Sequence, residues 1–278
     1  MPVSNLASSC AEMVRAADYD RYLSVLFAEK EKRESLFALY AFNFEVAKTA
    51  ETVSEPTLGM IRLQWWRESV GEIFNGTPRR HEVVMALSLA IEKHDLPRAL
   101  FDELLDAREQ DLSLTPFGEM AELESYADAT SGHVMRLAGR VLGAETKDDG
   151  HIRSLGIGYA ITGLLRSLPH HAARRRIMFP VGALKEADLS EDVIYAGRSS
   201  NIRILIDKMI AATETHLRFG STLSVPRGVL PAFLPAALIK PYLKIMKRRD
   251  FDPYREPVEI SVPRKQLAML GAMVRGRI

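Results

Sequence analysis

The chain has 278 residues, 47% of them hydrophobic and 26% charged, with a formal net charge of +1. That balance fits a globular protein with a sizeable core and excludes strong bulk attraction to nucleic acid, so no nucleic-acid partner is expected. The single cysteine, Cys10, excludes an internal disulfide and a cysteine-based zinc site, as a reducing compartment would favour.

The N-terminal stretch carries Glu12, Asp18 and Asp20 and lacks the charged-then-apolar order of a signal peptide, so a cytoplasmic location is expected. No apolar run reaches the ~18 residues of a membrane span. Helical periodicity dominates thereafter. Over residues 33–51, Leu36, Phe37, Leu39, Tyr40 and Phe44 recur at spacings of three and four, predicting an amphipathic or largely buried helix. Pro56, with Ser54 as a cap candidate before it, opens a helix over 57–74 that closes at Asn75-Gly76-Thr77-Pro78. Further helices are expected over 82–94, over 98–111 behind Pro97, over 119–142 up to Gly143, and over 147–168, stopped by Pro169. Beyond Pro180 come a short segment at 184–188 and helices over 192–197, 201–219 and 229–248. The stretch after Asp250 holds Pro253, Pro257 and Pro263 and is the least helical part until 264–274. No hairpin signal, internal repeat or flexible linker interrupts the pattern. The expectation is one all-α domain over 1–278, with a core of about 19–249 and a C-terminal extension over 250–278.

Four stretches carry a resemblance. They are Leu36-Phe37-Ala38-Leu39-Tyr40-Ala41-Phe42, Ile61-Arg62-Leu63-Gln64-Trp65-Trp66-Arg67, Leu164-Leu165-Arg166, and Arg174-Arg175-Arg176-Ile177-Met178-Phe179-Pro180. They resemble squalene and phytoene synthases, a likeness running over roughly residues 19–237. The resemblance implies an isoprenoid-synthase helical fold around a central cavity, where two aspartate-rich helices hold Mg²⁺ against a prenyl diphosphate. Here the first aspartate cluster reads Ala47, Lys48 and Glu51, and the second reads Ser167, His170 and His171. Mg²⁺ takes oxygen ligands, and a cation opposite imidazoles is a poor set for it. The expectation is no catalytic residue, no metal and no cofactor; Mg²⁺ enters only if the chain is an active transferase. The six positions then either line a relict cavity or belong to a pocket that stays cationic without metal. In the second case Lys48, Arg166, Arg174, Arg175 and Arg176 would bind an anionic headgroup directly, arginine being shaped for bidentate phosphate contacts.

Other signals are weaker. Asp102-Glu103-Leu104-Leu105-Asp106 has the spacing of a metal motif but sits early in a helix, where acids complement the macrodipole, and reads as a solvated face. Adjacent His170 and His171 cannot face one way on a helix. Trp65-Trp66 reads as one core and one surface aromatic. The apolar run 229–239, followed by Lys240, Lys244, Lys247, Arg248 and Arg249, suits either a core helix or a membrane surface.

One branch of the family is more similar than the synthases. Ala41-Phe42-Asn43-Phe44-Glu45-Val46-Ala47, Val53-Ser54-Glu55-Pro56-Thr57-Leu58-Gly59-Met60-Ile61-Arg62, Glu124-Ser125-Tyr126-Ala127-Asp128-Ala129-Thr130 and Pro169-His170-His171-Ala172-Ala173-Arg174-Arg175-Arg176 resemble the branch that supports assembly of respiratory complex I. That resemblance implies a non-catalytic protein whose partners are complex I subunits, a prenyl or lipid ligand, or a membrane surface touched peripherally. The alternative is an active transferase coupling two prenyl diphosphates head-to-head.

Overall fold

The computed structural model describes residues 3–53, 55–113, 115–197 and 201–278, with side chains from Ser9 onward, and holds no strand among them. Two helices precede the first expected one, α1 (Val3–Ala17) and α2 (Tyr19–Val25). Asp18 caps α2: its carboxylate accepts the Arg21 backbone N–H at 3.0 Å, satisfying one of the donors a helix start leaves open. The third helix, α3 (Lys30–Ala47), is buried on most of its circumference between Ser35 and Val46, as a helix enclosed by others must be. It ends at Lys48, and the four-residue α4 (Thr49–Thr52) begins at once. The helix expected over 33–51 is therefore broken at Lys48, although neither Gly nor Pro stands there.

Pro56 occupies the first turn of α5 (Pro56–Phe74), where its missing N–H is not needed. The cap candidate Ser54 lies outside the described residues. Next come α6 (Glu82–His94) and α7 (Arg98–Ala107), the latter tightening into a 3₁₀ turn over Arg108–Leu112. Instead of one helix over 119–142, α8 (Met120–Ala127) widens into a π turn, Asp128–Gly132, before α9 (His133–Leu142). Gly132 lies there against Gly156 of α10 (Asp149–Arg166). A Cβ on Gly156 would fall 2.4 Å from the Gly132 Cα, so the two backbones touch, and only glycine permits it. Gly143, at φ +99°, terminates α9 in the left-handed conformation.

Pro169 does not stop α10, which ends at Arg166. It sits in the first turn of the next helix, α11 (Leu168–Ala173). Short α12 (Val181–Glu186) and α13 (Glu191–Ala196) lead to α14 (Ile202–Gly220), which packs along α10. The helix expected over 229–248 divides. Pro231 and Pro235 interrupt the α-type ladder, so Leu230–Leu238 is 3₁₀, and α15 (Ile239–Met246) follows. Within this run Leu230, Phe233, Leu234, Leu238 and Ile239 are buried, so the segment presents core, not an apolar face to a membrane. Finally α16 (Val262–Arg275) packs on that 3₁₀ segment and on α2. One cluster of buried apolar residues runs from Cys10 to Ala272. Among the described residues no helix is long and apolar enough to cross a membrane.

Candidate functional site

The break after α3 and the junction of α10 with α11 face each other. Glu51 of α4, Arg166 and Ser167, and Pro169, His170 and His171 of α11 line a cleft of about 540 Å³, closed on one side by Pro253, Pro257 and Val258. Glu51 also borders a second cleft of about 330 Å³, with Asp111, Arg174 and Arg176. Of the six positions where the metal motifs would stand, the structure thus gathers Glu51, Ser167, His170 and His171. Ala47 and Lys48 do not line either cleft. Of the five expected anion-binding cations, Arg166, Arg174 and Arg176 line the clefts, whereas Lys48 and Arg175 do not.

Each departure has a partner that explains it. The Lys48 ammonium is drawn to the buried Glu45 carboxylate, which also accepts from Arg62 at 2.9 Å, and lies 4.8 Å from the Phe44 ring centroid. Arg175 points the other way, over the Tyr195 ring at 4.7 Å and 3.5 Å from Asp192. Ser167 donates back to the Gly163 carbonyl at 2.8 Å, closing the last turn of α10. Arg174 lies 3.7 Å from Glu51 and donates to His170. Burial, reinforced by Arg176 and His170, pushes the His171 imidazole down to about 4, so it is neutral at pH 7, and its buried Nδ1 has no partner.

A polar cluster that the sequence did not reveal adjoins Arg166. Asp20 of α2 is buried; it accepts from Tyr242 of α15 at 2.8 Å and from Lys265 of α16 at 2.5 Å, with Arg166 at 3.8 Å. The Arg166 guanidinium stacks on the Tyr242 ring at 4.0 Å. Burial pushes the Tyr242 phenol up, and so does the Asp20 carboxylate, against the pull of Arg166; the phenol remains a donor. Alongside, Arg21 pairs with Asp18 at 2.6 Å between the rings of Tyr40 and Tyr159. Asp18 had a readable signal, as an N-cap residue. Nothing local marks Asp20 or Lys265, which meet across 245 residues of chain.

One arrangement recurs: a carboxylate shared by two cations. Glu45 lies between Lys48 and Arg62, Asp20 between Lys265 and Arg166, and Asp111 between Arg108 at 2.9 Å and Arg176 at 3.9 Å. Each trio carries two positive charges and one negative, but the clefts themselves are of mixed charge, with Glu51, Glu55, Asp111 and Glu259 beside Arg166, Arg174 and Arg176. The donor set does not fit Mg²⁺. The α10–α11 side offers a hydroxyl and two imidazoles, the α3–α4 side one carboxylate facing Arg174 and the C-terminal side Glu259, so neither α10–α11 nor α3–α4 presents the carboxylate pair such a site requires. Among the described residues no group of three or more His, Cys, Asp or Glu side chains is placed to hold a metal. The Asp102 stretch is spent on polar pairing: Asp102 pairs with Arg98, Asp106 with Arg67, and Glu103 hydrogen-bonds the His133 imidazole.

The model of the family described as "Squalene/phytoene synthase" matches residues 14–266. The protein named "NADH dehydrogenase (ubiquinone) complex I, assembly factor 6" of Mus musculus is 33% identical over 247 residues, spanning 87% of this chain and 74% of that one. "Phytoene synthase 2, chloroplastic" of Solanum lycopersicum is 23% identical, over 99% of this chain and 92% of its own. Among solved structures, a dehydrosqualene synthase in complex with ligand superposes with a TM-score of 0.87 at 15% identity, covering 98% of this chain and 97% of that one. At that identity the likeness shows the fold alone.

Proposed function

The chain belongs to the squalene/phytoene synthase family, and from that premise we propose that it acts by binding, in the assembly of respiratory NADH:quinone oxidoreductase (complex I), and not by coupling prenyl diphosphates. The observation that carries this reading is the chemistry of the two facing helix junctions. Where a diphosphate-ionising enzyme of this fold would set opposed carboxylates, this chain sets Glu51 alone against Ser167, His170 and His171, with Ala47 and Lys48 outside the cleft. The stronger identity to the Mus musculus assembly factor than to the Solanum lycopersicum synthase supports the same choice.

Direct recognition of an anionic headgroup, that of a prenyl-type ligand, follows from the same residues. Arg166 lies over the Tyr242 ring at the cleft, and Arg174 and Arg176 line the adjoining one beside Glu51, Glu55 and Asp111. Guanidinium binds phosphate oxygens in a bidentate fashion without a bridging metal. The competing reading, an active head-to-head prenyl transferase, rests on the fold and on the shared framework stretches. Deleting the gene in its source organism separates the two. The assembly reading expects less assembled NADH:quinone oxidoreductase on native gels, with squalene and phytoene unchanged. Loss of a prenyl product beside a normal complex would sink it.

A further inference from the structure

The exposed apolar side chains of α16 and of the end of α2 form one surface. Leu267 and Val274 are each 67% exposed, Leu270 49% and Leu26 42%. Leu267, Leu270 and Val274 follow at i, i+3 and i+7, a single stripe, and Leu267 and Leu270 join Leu26 and Phe27 around a shallow apolar groove of about 590 Å³. The opposite side of α16 is fixed: Met269 and Ala272 are fully buried and Lys265 is held by Asp20. The outward stripe is therefore presented by a helix that is already packed and not free to turn it inward.

Charge says what the stripe meets. No acidic residue occurs between Ser261 and Ile278, while Arg264, Arg275 and Arg277 are exposed along that stretch. Two more arginines border the patch, Arg227 donating to the Val274 carbonyl at 3.3 Å and Arg33 to the Leu26 carbonyl at 2.9 Å. Glu29, the acidic neighbour on the turn after α2, is paired with Lys32 at 3.2 Å. We propose that this face docks on an anionic phospholipid surface. Leu26, Leu267, Leu270 and Val274 enter the headgroup–acyl boundary, and Arg264, Arg275 and Arg277 lie at phosphate level. Apolar side chains ringed by arginines, on a helix without a carboxylate, match a surface that is apolar at depth and anionic at its rim. This face lies on α16 and not on the buried 229–239 run, and it stands independently of the assembly reading.

The test uses the full chain and vesicles of phosphatidylcholine, with or without phosphatidylglycerol. Leu267→Trp places a reporter at a site that packs on nothing essential; its emission should shift to the blue on the anionic vesicles and stay put on the neutral ones. Replacing Arg264, Arg275 and Arg277 together by Ser should weaken vesicle binding about 100-fold, roughly five-fold for each arginine. Leu267→Gln, Leu270→Gln and Val274→Gln combined should abolish it with the thermal midpoint unchanged. Equal binding to both vesicles, or binding that survives the triple glutamine variant, overturns the proposal. So does an unshifted tryptophan on vesicles that carry the protein, and so does a stripe that proves to be covered by a protein subunit.

Discussion

Asn in place of Asp20 is the most informative single change. The Asp20 side chain is 7% exposed and Lys265 14%, and they meet at 2.5 Å, with Tyr242 at 2.8 Å and Arg166 at 3.8 Å. Asn keeps the shape and still accepts from Tyr242, but leaves Lys265 and Arg166 facing each other with no counter-charge. Removing one partner of a buried pair costs about 3–5 kcal/mol, and the retained acceptor puts Asp20→Asn near the lower end, about 3 kcal/mol. At about 2.1 cal/mol/K per residue the unfolding entropy of this chain is about 0.6 kcal/mol/K, so the midpoint should fall by about 5 °C. Adding Lys265→Met removes the orphaned cation. The double variant should therefore be more stable than the sum of its single changes by about 1–3 kcal/mol. Thermal melts followed by circular dichroism, or calorimetry, measure both. A midpoint unmoved by Asp20→Asn, or strict additivity with Lys265→Met, would refute the coupling of α2 to α16.

Two other changes probe the clefts. His171 is held neutral well below its ordinary range, at about 4, so between pH 6.5 and 4 the unfolded chain binds a proton there that the folded chain does not. Stability should fall as pH drops through that window, by on the order of 1–3 kcal/mol, and His171→Gln should flatten the slope in denaturant titrations at stepped pH; an unchanged slope would place the imidazole in solvent. Arg166→Met removes a guanidinium from the cleft lining and should weaken binding of inorganic diphosphate at least ten-fold by calorimetry, a charged hydrogen bond being worth about 1.5–3 kcal/mol. Equal affinity in the two proteins would remove Arg166 from the site.

How far the sequence led depended on how local each determinant was. The start of α5 was readable from Pro56 and the end of α9 from Gly143, because proline and glycine act on their own backbone. The end of α3 at Lys48 and the π turn at Asp128–Gly132 were not, because nothing in either segment forbids a continuous helix. The π turn is where Gly132 meets Gly156, a contact between segments distant in the chain. Pro231 and Pro235 stand in plain sight, but whether two missing donors kink a helix or convert it to 3₁₀ is decided by the packing around them. For the site, the resemblance located Glu51, Ser167, His170 and His171 on one cleft. It could not foresee that Glu45 would hold Lys48 away from it, since that turns on the side-chain directions around a helix break. The Asp20–Lys265 pair was out of reach, since charge patterning works over one or two turns and these groups are set together by the packing of α16 on α2.

The inability of the clefts to ionise a prenyl diphosphate is what the binding reading requires. Its direct measurement is diphosphate release by the purified chain given farnesyl or geranylgeranyl diphosphate, Mg²⁺ and NADPH. Release no greater than in a protein-free control is the result expected from a cleft in which Glu51 alone of the first motif faces Ser167, His170 and His171. Release that proceeds with turnover and stops on addition of a chelator would contradict it.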